Sequence, residues 1–112
     1  VAVSCLSDIN KKNVLPPITA YYVMKIGTLP LIPYFPPGDL DLAKAVREMA
    51  SDHHALLLAN HGPVVAGKSL EDAVYAMEEL EETAKLFLML KNMNTSFLDD
   101  AQINDLKSRF PT

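Results

Sequence analysis

LLLANHGPVVAGKSLEDA, residues 56–73, is the stretch on which the fold reading turns. Leu56, Leu57 and Leu58 continue Ala55 as an apolar run with no polar alternation, the pattern of a strand covered on both faces. Asn60-His61-Gly62 interrupts the run, and Pro63 to Ala66 is a second, very short one. A link of three residues between two such runs predicts a hairpin. Gly67-Lys68-Ser69 ends the pair. Ser69 is a good N-cap, and Glu71 and Asp72 place acid in the first turn of the next helix, where the dipole favours it.

That helix is predicted to run through SLEDAVYAMEELEETAKLFLMLKN. Leu70, Val74, Met77, Leu80, Ala84, Phe87 and Leu88 or Leu90 recur every three to four residues and form its apolar stripe. LFLML, residues 86–90, is apolar all round. One buried face does not require that, so this end is expected to pack on the core and on another subunit. Upstream, LPPITAYYVMKIG predicts a helix over about 17–26, with Pro16 and Pro17 at its entry and Gly27 as its stop. TLPLIPYFPPGD holds four prolines and is extended, with at most an edge strand near Leu29 to Ile32. Gly38 or Asp39 opens a helix over LDLAKAVREMASD, with Leu42, Ala45, Val46 and Met49 facing inward. FLDDAQINDLKSRF predicts a last short helix. VAVSCL is too short to separate helix from strand.

A chain of 112 residues suits one domain or part of a larger one. The net charge is −4 and no basic block exists, which argues against a nucleic-acid partner. No apolar run approaches the roughly 18 residues of a membrane span, and no signal peptide opens the chain. Cys5 is the single cysteine, so no internal disulfide can form. A reducing compartment, the cytoplasm, is the expected location. Cys5 itself is expected to be a small buried residue. The chain opens on Val in the middle of an apolar pattern, which is read as a missing front portion.

Three groups of side chains are candidates for chemistry. His61 stands at a strand end, where a metal ligand would be rigidly held, with Gly62 leaving the turn open. By residue type alone a solvated turn histidine is the commoner reading. His53 and His54 are neighbours pointing to opposite faces, so they do not chelate, and they fall at the other end of the strand from His61. Tyr21 and Tyr22 are either packing residues or a source of a phenolic proton. The acidic run EELEE, residues 78–82, is read as a solvated helix face.

Taken in order, LPPITAYYVMKIG, PLIPYFPPGD, NHG and EELEETAKLFLML resemble the C-terminal part of the class II aldolase and adducin family. Within it they are most similar to the branch of 3-oxo-tetronate 4-phosphate decarboxylases, alongside the fuculose-phosphate aldolases. The resemblance implies a three-layer α/β/α fold around a largely antiparallel sheet, incomplete here, with residues 1–112 as the C-terminal part of one domain. It implies a divalent metal, most often zinc, held by three histidines. His61 matches the third, while the other two belong to an H-x-H motif that precedes the segment matching VAVSCL. Tyr21 or Tyr22 matches a tyrosine that serves a neighbouring subunit as proton donor. The implied activity is metal-assisted cleavage of a carbon–carbon bond in a small phosphorylated sugar or sugar acid. The implied assembly is a homo-oligomer, a tetramer. With one histidine of three and no phosphate-binding residues, this chain alone is expected to be inactive. The rival reading, drawn from the adducin relatives, is a non-catalytic oligomerisation module.

Overall fold

The structure is a computed structural model and describes residues 1–7 and 9–110. A 3-10 turn at Ala2–Cys5 leads to α1 (Ala20–Lys25), β1 (Leu31–Ile32), α2 (Leu40–Ala50), β2 (Ala55–Leu58), β3 (Gly62–Val65), α3 (Leu70–Leu90) and α4 (Asp100–Arg109). The strands lie in the order β1-β2-β3. β3 runs antiparallel to β2, with Leu58 opposite Gly62 and Ala55 opposite Val65, so the predicted hairpin is present. β1 joins the other edge in parallel, with Leu31 opposite Leu57. The sheet of this chain is therefore mixed. α2 makes the long crossover that a parallel pair needs.

Every residue of β2 is buried. Side chains alternate across a strand, so its two faces feed two cores. Ala55 and Leu57 face a cluster with Val3, Leu15, Tyr22, Ile26, Leu29, Ala76, Leu80 and Ala84. Leu56 and Leu58 face the other side with Ile32, where Leu42, Ala45, Val46 and Met49 of α2 pack. α1 and α3, the sheet, and α2 are thus the three layers that the resemblance implies, and the predicted inner stripe of α2 is the one observed. Pro63 fits β3 because the Leu57 N–H donates across to Pro30 O at 2.9 Å. The pair Leu57–Pro63 is therefore not hydrogen-bonded, and the proline nitrogen faces the open edge, where no ladder donor is needed.

Three expectations are corrected. α1 is shorter than predicted: Thr19, in extended backbone, caps it by accepting from Tyr22 N at 3.3 Å. Pro16 and Pro17 precede the helix instead of forming its first turn. Gly27, at φ 78°, is the stop. α3 begins at its Ser69 cap, but its core face is carried by Ala76, Leu80, Thr83 and Ala84. Leu70 and Val74 are exposed. At about 100° per residue, Val74 sits roughly 120° around the helix from Leu80, so the three-to-four spacing had drifted off the buried face. Small residues let this face approach the core closely. Gly67 shows the same tightness, since a Cβ there would stand 2.6 Å from Ala73 N. Finally, Cys5 is exposed. In a 3-10 turn residues three apart eclipse, so Ala2 and Cys5 share the outer side while Val3 and Ser4 are buried.

Candidate functional site

The β2–β3 turn presents His61 to solvent at the end of the central strand. Its backbone is fixed from several directions. His61 N donates to Leu58 O at 3.1 Å, Asn60 N donates to Ser4 O at 2.8 Å, and Ala59 N donates to Ile32 O at 3.0 Å. Asn60 adopts φ 57°, the left-handed region, which asparagine tolerates better than other side chains. Gly62 was expected to keep the turn open. Its own φ is not left-handed, and a Cβ there would meet Val1 Cγ2 at an ordinary 3.5 Å. The conformational demand of the turn thus falls on Asn60. The sequence reading missed this residue, although an asparagine directly before the histidine was the available signal.

The start of the chain lies at the same place. Val1 packs over Gly62, the 3-10 turn after it accepts the Asn60 N–H, and the Val1 amino nitrogen is 3.7 Å from Glu81 Oε1 of α3. A zinc ion needs three or four ligands. Among the described residues no group of three His, Cys, Asp or Glu side chains converges. A zinc site at His61 would therefore need at least one ligand from beyond the described residues of a single chain.

The two tyrosines part company. Tyr22 is fully buried between α1 and the core, while Tyr21 is 67 % exposed. The Tyr22 hydroxyl has no hydrogen-bond partner among the described residues, and burial holds its phenol protonated well above the ordinary tyrosine range. A group enclosed in this way reaches no ligand, so Tyr21 is the accessible phenol of the pair. His53 and His54 lie at the far end of β2 from His61. With Asp52, Met24, Leu106 and Lys107 they border a cavity of about 330 Å³. The structure does not bring them to His61. Glu78, Glu81 and Glu82 are exposed, as a solvated helix face requires. No helix of the described residues is long and apolar enough to cross a membrane.

Residues 1–88 match the family described as Class II Aldolase and Adducin N-terminal domain. The chain is 49 % identical over 107 residues to the 3-oxo-tetronate 4-phosphate decarboxylase of Escherichia coli (strain K12), covering 96 % of this chain and 50 % of that protein. It is 40 % identical over 85 residues to the L-fuculose phosphate aldolase of Methanocaldococcus jannaschii, covering 75 % of this chain and 44 % of the aldolase. The crystal structure of YgbL from Escherichia coli superposes with a TM-score of 0.91 at 48 % identity, over 95 % of this chain and 51 % of that one. The chain spans about half the length of the curated relatives it matches. On the match of residues 1–88 and the shared fold, the chain belongs to the class II aldolase and adducin family.

Proposed function

We propose that residues 1–112 are the C-terminal part of one class II aldolase-like domain. The whole protein is then a metal-dependent carbon–carbon lyase for a small phosphorylated sugar acid, of the 3-oxo-tetronate 4-phosphate decarboxylase kind. The observation that carries this reading is the meeting of Val1 with the His61 turn. Residues ahead of Val1 in a longer protein would arrive beside an exposed imidazole on a rigid strand end. That is where a pair of histidines from H-x-H would complete a set of three. The 49 % identity to a decarboxylase over nearly the whole chain supports the substrate class.

In this reading His61 is a ligand of zinc, held at a fixed position by the Leu58 and Ser4 backbone bonds of its turn. Zinc, when bound, supplies a Lewis acid for the negative charge that develops on substrate oxygens. When CO2 leaves, the electron pair of the broken bond stays on the adjacent carbon, which must then take up a proton. Tyr21 Oη, exposed on α1, supplies that proton to the site of a neighbouring subunit. Tyr22 anchors the same helix in the core. The working protein is a cytoplasmic homo-oligomer, a tetramer. In this reading the 112 residues alone are inactive, since His61 is the one metal ligand assigned to them.

A second reading, an adducin-like module without chemistry, draws on one observation: Leu88 and Met89 at the end of α3 are exposed apolar side chains. The two readings separate in the whole protein. His61→Ala is expected to abolish zinc binding and CO2 release from a 3-oxo-tetronate 4-phosphate. A wild-type oligomer that binds no metal and releases no CO2 would favour the module, and full zinc occupancy in His61→Ala would overturn the ligand assignment.

A further inference from the structure

α1 is a helix of six residues. Isolated helices that short do not hold their own shape, because nucleation costs more than a turn or two of hydrogen bonds returns. Its position is set by what packs on it. On one side, Tyr22 and Ile26 join Ala76, Leu80 and Ala84 of α3 in the core. α4 packs on the flank of α1 that carries Val23 and Gly27. The segment leading into α4 is tied to the approach of α1, with Leu98 N donating to Pro17 O at 3.0 Å. α4 starts firmly, on a reciprocal capping box between Asp99 and Gln102.

The seat of α4 is loose by comparison. None of its side chains is fully buried, and Ile103 and Leu106 are its half-buried apolar residues. Two cavities of about 330 and 340 Å³ border the seam, and Val23, Gly27, Thr28 and Lys107 line both. Leu106 stands in the wall of the first and Ile103 in the wall of the second. α4 also lies beyond residue 88, where the family match ends.

We propose that Ile103 and Leu106 are positioning residues for Tyr21: α4 braces the Val23 flank of α1, across the helix from Tyr21, and so fixes where the Tyr21 phenol is delivered. This rests on the reading of Tyr21 as the proton donor. Core packing from α3 holds α1 through Tyr22 and Ile26 while Tyr21 is exposed, so a tilt of α1 about that buried edge carries the Tyr21 phenol with it. Removing apolar bulk from a seam already flanked by cavities permits such a tilt.

The test uses the whole protein with zinc bound. Leu106→Ala and the pair Ile103→Ala with Leu106→Ala are each made alone and on a Tyr21→Phe background. A misplacement of about 1 Å in a reacting group costs up to roughly 100-fold in rate. We expect kcat to fall roughly 10- to 100-fold with KM and zinc content unchanged, and Leu106→Met, which keeps the volume, to restore it. On the Tyr21→Phe background the same changes are expected to cost nothing further, because they act through the phenol. Should the double substitution fail to fold, the single Leu106→Ala carries the same readout. Unchanged kcat, or a loss that adds in full to that of Tyr21→Phe, overturns the inference. Tyr21→Phe having no effect on kcat overturns the reading of Tyr21 instead, and with it any role for α4 through that residue.

Discussion

The two ends of β2 both carry histidine, and they are built differently. At the His61 end, three backbone hydrogen bonds hold three consecutive residues, and the start of the chain closes over the turn. At the other end, His53 and His54 precede the strand beside an open cavity, with His54 O accepting from Ala66 N at 2.9 Å. One end offers a backbone tied at successive residues, and the other offers a cavity beside its histidines. A metal ligand has to be held within a fraction of an ångström, so rigidity counts for more than cavity volume. The cavity beside His53 and His54 is therefore the weaker guide to the proposed metal site.

Substitutions at the two ends sharpen this contrast most. In the whole protein, His61→Ala is expected to weaken zinc binding by more than about 100-fold, beyond the loss seen when an outer-shell partner of a ligand is removed. His53→Ala and His54→Ala are expected to leave zinc content unchanged. Metal analysis after gel filtration checks all three, and zinc lost only from the His53 or His54 variants would reverse the comparison.

Tyr21 and Tyr22 give the next contrast. Tyr21→Phe is expected to lower kcat by roughly 100- to 10,000-fold without changing the denaturation midpoint, the range for loss of a positioned acid. Tyr22→Phe removes a buried hydroxyl that has no partner among the described residues, so it is expected to keep turnover and gain about 1 kcal/mol of stability in urea unfolding. The pH dependence follows from the raised phenol of Tyr22. The folded protein holds that proton after the unfolded chain has begun to lose it near pH 10. Its contribution is present in full below that pH and is lost as pH rises toward the folded value. Wild type should therefore lose stability above about pH 10 more steeply than Tyr22→Phe. Equal slopes would show that Tyr22 is not enclosed.

Smaller effects separate Gly67 from the His61 turn. Gly67→Ala forces a Cβ to within 2.6 Å of Ala73 N and is expected to cost about 1–3 kcal/mol. Gly62→Ala meets only an ordinary contact, and a change below about 0.5 kcal/mol is expected. Asn60→Ala places an ordinary side chain in the left-handed region and should cost about 1 kcal/mol, whereas Asn60→Gly should be close to neutral. Urea midpoints order the four variants. A Gly62→Ala cost above that of Gly67→Ala would place the tight approach at the wrong glycine.

What could be read from the sequence follows the range of the forces involved. The hairpin, the Ser69 cap, the buried β2 and the inner face of α2 rest on local patterns, and the structure has all of them. The parallel partner of β2 was not legible, because Leu31 and Leu57 are distant in sequence and no local pattern announces their pairing. The core face of α3 was misjudged where hydrophobicity and packing diverge: Leu70 and Val74 are more apolar than Ala76 and Thr83, yet the small residues make the close approach. Cys5 was misplaced because burial in a 3-10 turn depends on which residue eclipses which. At the site, His61 stood out through a family resemblance more than through its own chemistry. Which of Tyr21 and Tyr22 is exposed depends on the rotation of a six-residue helix, which no local pattern fixes.

The most direct test of the central claim is anomalous scattering from crystals of the whole protein loaded with zinc. The account predicts a peak about 2.0–2.1 Å from a ring nitrogen of His61, with two further histidines from residues ahead of Val1. A peak at His53 or His54, or a zinc site that leaves His61 unliganded, would contradict it.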